Sequence, residues 1–250
     1  MQGLKDETII VTGGGGGIGS ATCRRLAREG AKVAVFDRNL EAAQKVVAEI
    51  TAAGGQAAAF DCDITDRASV DAAVAATQAQ LGPVAVLVNN AGWDVFLPFT
   101  KTVPAQWEQL IAINLTGSFR MATAVLPQLK ESKGNVINTA SMSSYSSLPG
   151  VPGYGASKAG VVQMTMTLAE SWARFGVRVN AFAPGWVSTN MTRGAENNEA
   201  YSNRLIEHTP MRRWGKPSEM AGTALFLASD AASFITGVTI PVDGGFKAVM

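Results

Sequence analysis

Histidine and cysteine are nearly missing from this chain, with one His and two Cys in 250 residues. His208 has no second imidazole to share a metal with, so a His-based metal centre or a Ser-His-Asp relay is not expected. It reads as a surface or lid residue. Cys23 and Cys62 cannot build a disulfide framework, which suits a reducing, cytoplasmic setting. Charge is scarce as well: 16% of residues against the roughly 25% usual in soluble domains. Lys+Arg 21 against Asp+Glu 20 leaves a net +1. No basic surplus exists to hold a phosphate backbone, and nucleic acid is not an expected partner. The uncharged stretch from Gly134 to Ser157 contains Pro149, Pro152 and six serines, which makes a membrane-spanning helix physically poor. Met1 to Asp6 shows no apolar run behind a basic start, so no secretory leader is expected.

Apolar material is plentiful by contrast, at 47% of residues, enough for a sizeable core. Short β-branched runs at Thr8–Val11, Lys32–Phe36, Val84–Val88, Asn135–Asn138 and Val177–Asn180 suit parallel strands covered on both faces. Between them lie helical stripes, among them Gly19-Cys23-Leu26-Ala27-Gly30 and Leu40-Ala43-Val46-Val47-Ile50. Further helices are expected from Asp66 to Leu81, Pro104 to Leu129, Tyr154 to Phe175 and Pro217 to Ala228. This alternation predicts one α/β domain over residues 1–250: a single Rossmann-type, doubly wound parallel sheet of about seven strands, with helices on both faces. Residues 188–214 break the alternation and read as a substrate lid within that domain.

Glycine is over-represented, at 26 residues, and five of them form Gly13-Gly14-Gly15-Gly16-Gly17 between the first strand and the first helix. There they permit a tight turn and close approach of a pyrophosphate to the helix N-terminus. No Lys-Ser/Thr pair follows, so the loop is not a P-loop. Asp37 ends the second strand, where a carboxylate can accept both ribose hydroxyls of an adenosine and repel a 2′-phosphate. That favours NAD over NADP, although Arg38 beside it could pair with a 2′-phosphate.

Tyr154 and Lys158 stand one helical turn apart on one face. A phenol with a pKa of ~10 beside a cation can exchange protons near neutrality; a solvated helix face offers the same spacing. Ser141 follows the Asn135–Thr139 strand, where strand ends meet ligands in open sheets. Asn114 falls on an inward stripe of Trp107, Ile111, Ser118, Ala122, Val125 and Leu129. It is either a core amide satisfying backbone or a link in a proton relay.

Together, Thr12-Gly13-x-x-x-Gly17-Ile18-Gly19, Asp63, Asn89-Asn90-Ala91-Gly92, Asn114, Ser141, Tyr154-x-x-x-Lys158 and Pro184-Gly185-x-Val187-x-Thr189 resemble the classical short-chain dehydrogenase/reductase family, in order and spacing, over nearly the whole chain. The resemblance implies an NAD-dependent alcohol dehydrogenase or ketone reductase, with a homotetrameric assembly built on the helices from Pro104 and Tyr154. It makes Tyr154 the general acid/base and has Lys158 hold the nicotinamide ribose and lower the tyrosine pKa. Ser141 would bind the substrate oxygen, and Asn114 would position a water leading from Lys158 to solvent. It places Gly13, Gly17, Ile18 and Gly19 at the pyrophosphate, Asp37 and Asn90 at the adenosine-side ribose, Asp63 and Ile64 at the adenine, and Val187 and Thr189 at the carboxamide.

Around this constellation Trp93, Phe96, Tyr145, Leu148, Trp186 and Met191 suggest an apolar pocket for a small hydrophobic, cyclic or aromatic secondary alcohol. Two other substrate classes remain open. The segment Asn90 to Gly117 also looks like that of dehydrogenases acting on alicyclic or aromatic ring compounds, including hydroxyacyl-CoA forms, and a 3-oxoacyl thioester reductase using NADPH is a close rival. Asn190-Met191-Thr192-Arg193 and Pro210 to Gly215 look like polyol and gluconate dehydrogenases. A non-catalytic dinucleotide sensor would be expected to lack one of Asn114, Ser141, Tyr154 and Lys158, and all four are present.

Overall fold

A computed structural model describes residues 3–97, 99–147 and 150–249. Its centre is a seven-stranded sheet in the order β3-β2-β1-β4-β5-β6-β7, parallel at every pairing. The strands are β1 (Thr8–Thr12), β2 (Lys32–Asp37), β3 (Gln56–Asp61), β4 (Val84–Asn89), β5 (Asn135–Thr139), β6 (Arg178–Pro184) and β7 (Thr239–Val242). Strands β3 and β7 lie outside the runs read from the sequence: β3 is alanine-rich, and the β-branched residues of β7 are interrupted by Pro241. Gln-Ala-Ala-Ala-Phe-Asp and Thr-Ile-Pro-Val carry weak strand signals and are held by their neighbours' hydrogen bonds.

Period-2 alternation explains why both faces are apolar. Ile9 and Val11 point into one core layer with Cys23, Leu26, Val46, Ala224 and Leu225. That layer belongs to α1 (Gly17–Arg28), α2 (Leu40–Ala52) and α9 (Pro217–Ala228). Ile10 points to the other, with Val70, Val74, Met121, Val125, Leu129, Leu168 and Trp172 from α3 (Arg67–Leu81), α5 (Ser118–Ser132) and α6 (Pro152–Ala173). Every residue of β1 and β4 is buried.

The stretch from Pro104 departs from an unbroken α-helix. It runs as α4 (Pro104–Ile111), one π-helical turn (Ala112–Gly117) and then α5. A π turn takes an extra residue to go round, so the inward phase slips across it. Asn114, Ser118, Ala122, Val125 and Leu129 are buried, but before the turn Leu110 takes the core position and Trp107 remains 38% exposed. By length and composition alone, Pro104–Ser132 could cross a membrane; here the Met121-Val125-Leu129 face packs on the sheet. Residues 188–214 contain two short helices, α7 (Arg193–Glu196) and α8 (Glu199–Glu207).

Strand order reverses between β1 and β4. Their carboxyl ends open a crevice outside the sheet, the position where open α/β folds bind ligands.

Candidate active site

That crevice is a cleft of about 510 Å³ running from Asp37, Arg38 and Asp63 past Gly13, Gly17, Ile18 and Asn90 to Ser141, Tyr154 and Lys158. Backbone geometry rather than composition gives the glycine loop its meaning. Gly13 and Gly17 have φ of 62° and 50°, a region side chains rarely adopt. A Cβ on Gly19 would lie 2.1 Å from the Gly13 carbonyl oxygen. Helix α1 starts with no side-chain cap and no acidic residue in its first turn. By contrast, Asn39 caps α2 and Asp66 caps α3. The free N–H groups of α1 therefore face the cleft and fit a pyrophosphate.

The loop is pinned to the neighbouring strand. Thr12 Oγ1 accepts from the backbone N–H groups of Asn90 and Ala91, both at 3.0 Å, and Asn90 Nδ2 donates to the Thr12 carbonyl at 3.1 Å. Asp37 accepts from Gly15 N through Oδ2 and from Asn39 N through Oδ1, each at 2.9 Å. Each oxygen keeps a lone pair for a ribose hydroxyl. Asp63 Oδ1 accepts from Thr65 N and Oγ1 at 2.8 and 2.7 Å, and those bonds hold its carboxyl below the usual range. Ile64, Val187 and Thr189 also line the cleft. This cradle fits a dinucleotide.

At the other end Tyr154 and Lys158 lie on α6, and Ser141 stands just beyond β5. The Ser141 hydroxyl bonds the Tyr154 side chain and donates to Ser143 Oγ at 3.1 Å. Lys158 is 3% exposed; its Nζ donates to the Thr139 carbonyl at 2.7 Å and lies 5.7 Å from the Tyr154 ring centre. Burial pushes its ammonium down to about 8, opposed by the charge of Asp94. Burial and the Asp94 charge push the phenol above its ordinary value, and the Ser141 hydrogen bond is what lowers it.

Asn114 resolves into a clamp. Its Oδ1 accepts from Trp93 N at 2.8 Å, and its Nδ2 donates to Trp93 O at 2.9 Å and Ser157 Oγ at 3.1 Å. Ser157 in turn donates to the Tyr154 carbonyl at 2.7 Å. The amide thus ties the segment after β4 to the Tyr154 helix.

The pocket aromatics divide. Trp93 and Met191 line the cleft, joined by Gln109, Ile113, Asn190 and Thr192. Phe96, Tyr145 and Trp186 are not among its lining residues. Tyr201 of α8 sits edge-on to Phe96 at 6.1 Å and to Trp186 at 6.5 Å, and Trp186 meets Trp214 at 5.9 Å. These contacts pack Phe96 and Trp186 against α8, and Trp186 against Trp214. Tyr145 lies under Lys247, whose Nζ is 3.9 Å from the ring centre. Leu148 and Pro149 lie outside the described residues. His208 is exposed, with Nδ1 against the Arg204 carbonyl at 2.8 Å. Sequence reasoning missed Ser157 and Asp94 as parts of the site and gave Thr12 no role beyond its place in the glycine motif.

Comparisons with known proteins agree with this geometry. The profile of a family described as Enoyl-(Acyl carrier protein) reductase matches residues 13–247. A 2,5-dichloro-2,5-cyclohexadiene-1,4-diol dehydrogenase of Sphingobium indicum is 41% identical, over 100% of both chains. A 3-oxoacyl-[acyl-carrier-protein] reductase of Synechocystis is 41% identical over 98% of each. The crystal structure of a gluconate 5-dehydrogenase from Burkholderia cenocepacia, in complex with NADP and tartrate, superposes with a TM-score of 0.95 at 35% identity, covering 99% of this chain and 97% of that one. Fold, cleft and relatives converge: the chain belongs to the short-chain dehydrogenase/reductase family, oxidoreductases that work with a nicotinamide dinucleotide.

Proposed function

We propose that this oxidoreductase interconverts a secondary alcohol and a ketone on a small, uncharged cyclic substrate, with NAD(H) as its preferred cofactor. The relatives span cyclic diols, acyl thioesters and gluconate and do not choose among them. The observation that carries the proposal is the charge of the cleft. Among its described lining residues the only cations are Arg38 and Lys158. Arg38 adjoins Asp37 at the adenosine end, while Lys158 is buried against Thr139. A sugar acid would bring a carboxylate to the Ser141 end with no free cation to meet it and with the Asp94 charge against it. A neutral ring against Trp93, Ile113 and Met191 meets no such penalty.

In this reading the bound nicotinamide ring takes or gives the hydride. Tyr154 exchanges the proton with the substrate oxygen, and Ser141 orients that oxygen. Lys158 holds the ribose hydroxyls, and Asn114 fixes the wall formed by Trp93. Residues 188–214 act as the lid, held shut by the Tyr201-Trp186-Trp214 cluster. NAD preference rests on Asp37: a 2′-phosphate would sit beside a carboxylate already held in place by two backbone N–H groups. Related structures hold NADP, and kcat/KM with NAD against NADP is the measurement that tests the preference.

A thioester substrate is a second reading. Arg193, bonded to the rim residue Asn190 at 2.6 Å, places a guanidinium where a CoA phosphate could meet it. Assembly as a homotetramer is supported by the exposed apolar residues Trp107, Phe119 and Met166 on α4, α5 and α6. The buried, unpaired Cys23 and Cys62 suit a cytoplasmic setting. A screen of NAD reduction with cyclohexane diols, gluconate and 3-hydroxyacyl-CoA thioesters tests the reading. Preferred turnover of the diols supports it, and preferred turnover of gluconate overturns it.

A further inference from the structure

One hydroxyl ties the start of the lid to the wall of the cleft. Beyond β6 the chain turns through Val187 and Thr189, and Thr192 stands at the entry to α7. The Thr192 side chain does not cap that helix; it reaches back into the turn. Its Oγ1 donates to the Val187 carbonyl at 2.5 Å, with the Thr189 carbonyl a longer second acceptor at 3.3 Å. The same atom accepts from Thr189 N at 3.0 Å and meets Thr189 Oγ1 at 3.1 Å.

Val187, Thr189 and Thr192 all line the cleft. A Cβ on Gly17 would be 3.5 Å from Thr189 Cγ2, so the turn faces the glycine loop across the space that fits a pyrophosphate. On its other side β6 pairs with β5, whose end leads to Ser141. The turn therefore stands between the phosphate loop and the Ser141 and Tyr154 end, beside the part of a dinucleotide that lies beyond the pyrophosphate. Thr192 is the one donor to the Val187 carbonyl among the described residues, which leaves that oxygen a lone pair. A carbonyl so disposed, next to a hydroxyl able to donate or accept, suits an amide. Groups of this kind bind well only when fixed beforehand, since ordering them on binding costs affinity. The lid side of the turn is held too: Ser188 Oγ donates to Glu196 at 2.7 Å, and Ser188 N to the Gly215 carbonyl at 2.9 Å.

We infer that Thr192 is the positioning residue of the nicotinamide carboxamide site: its hydroxyl fixes the Val187 carbonyl and the Thr189 hydroxyl for the amide. The inference rests on the placement of Val187 and Thr189 at the carboxamide, and Thr192 acts through those two residues. Because a carbonyl oxygen has two lone pairs, Thr192 holds the Val187 carbonyl in place without taking the position the amide needs.

The test is titration calorimetry of the full-length enzyme with NADH and with ADP-ribose, which keeps the riboses and the pyrophosphate but has no nicotinamide. Thr192→Val removes the hydroxyl at similar size. Its NADH affinity is expected to fall about tenfold, the effect of one to two hydrogen bonds, while its ADP-ribose affinity changes less than about twofold. Thr192→Ser keeps a hydroxyl and holds NADH affinity to within about threefold of the unaltered enzyme. Unchanged or tighter NADH binding by Thr192→Val overturns the inference. An equal loss for both ligands also overturns it, because that marks a general loosening of the cleft. Thr189→Val separates the inference from the placement beneath it. A selective loss of NADH affinity in Thr189→Val but not in Thr192→Val overturns the inference alone; a selective loss in neither overturns the carboxamide placement with it. Should Thr192→Val not fold, amide exchange in the unaltered, cofactor-free enzyme decides. The Thr189 N–H is then expected to exchange at least about tenfold more slowly than an unstructured amide, and an unprotected Thr189 overturns the inference.

Discussion

Replacing Lys158 by methionine exchanges a buried ammonium for an apolar chain of similar length, and the structure gives the sign and size of the result. A lowering from 10.5 to about 8 corresponds to about 3 kcal/mol, at about 1.4 kcal/mol per pH unit. Because the folded value lies below the unfolded one, the penalty is fully present below about pH 8. Between about 8 and 10.5 the unfolded chain retains a proton that the folded chain has released, and the native enzyme gains stability with rising pH. Against this stands the hydrogen bond to Thr139 O, whose loss leaves a carbonyl unpaired at a cost of about 1–2 kcal/mol. Removing the ammonium also leaves the Asp94 carboxylate without the charge that holds its pKa down, so the expected outcome is carried by the pH dependence: from pH 7 to pH 10 the native enzyme gains about 2–3 kcal/mol relative to cofactor-free Lys158→Met. Urea unfolding at equal protein concentration, at the two pH values, measures the difference. Cys23, Cys62 and Tyr154, whose acid groups burial pushes up, titrate in both proteins and cancel to first order. Parallel stability curves from pH 7 to 10 would refute the reasoning, because they would mean that the native fold does not desolvate the Lys158 charge.

Three other outcomes follow from the same geometry. Gly19→Ala drives a methyl into the Gly13 carbonyl and Asn90 Nδ2; NADH affinity is expected to drop at least about tenfold, since overpacking of about 1–3 kcal/mol must distort the loop. Titration calorimetry showing unchanged affinity would contradict this. Asn114→Ala leaves the N–H and C=O of Trp93 without partners, each worth about 1–3 kcal/mol. Chemical unfolding should register the loss, and a change under about 0.5 kcal/mol would show that the clamp is idle. Asp37→Ser should raise kcat/KM with NADP relative to NAD by at least about tenfold, through removal of the repelling carboxylate. An unchanged ratio would detach cofactor choice from Asp37.

The layered architecture was legible because its cause is local. Parallel strands buried on both faces require continuous apolar runs, and β1, β2, β4, β5 and β6 have them. Strand β3 was not, because alanine carries no strand signal of its own. Its place comes from the ladder with β2, down to Phe36 opposite Phe60. The π turn at Asn114 was equally hidden, since the stripe around it fits an ordinary helix nearly as well. At the site, Ser141, Tyr154 and Lys158 stood out by spacing and by family resemblance, and the fold brings all three to one cleft. Asp94 carries no periodicity, and its meaning depends on a burial that only tertiary structure reveals. Phe96 and Trp186 likewise depend on tertiary structure for their surroundings. They adjoin the motifs in sequence, but the chain turns their rings toward Tyr201 and away from the cleft.

The central claim is that Tyr154 exchanges the proton with the substrate oxygen while the rest of the cleft holds the cofactor. Tyr154→Phe removes one hydroxyl and leaves the ring, α6 and the glycine loop intact. Steady-state oxidation of a turned-over alcohol, paired with NADH titration of the same preparation, tests it most directly. The account requires kcat to fall by at least about 100-fold, the low end for loss of a general acid/base, with the NADH dissociation constant changed less than about threefold, well under 1 kcal/mol. A variant that binds NADH normally and turns over at the native rate would contradict it.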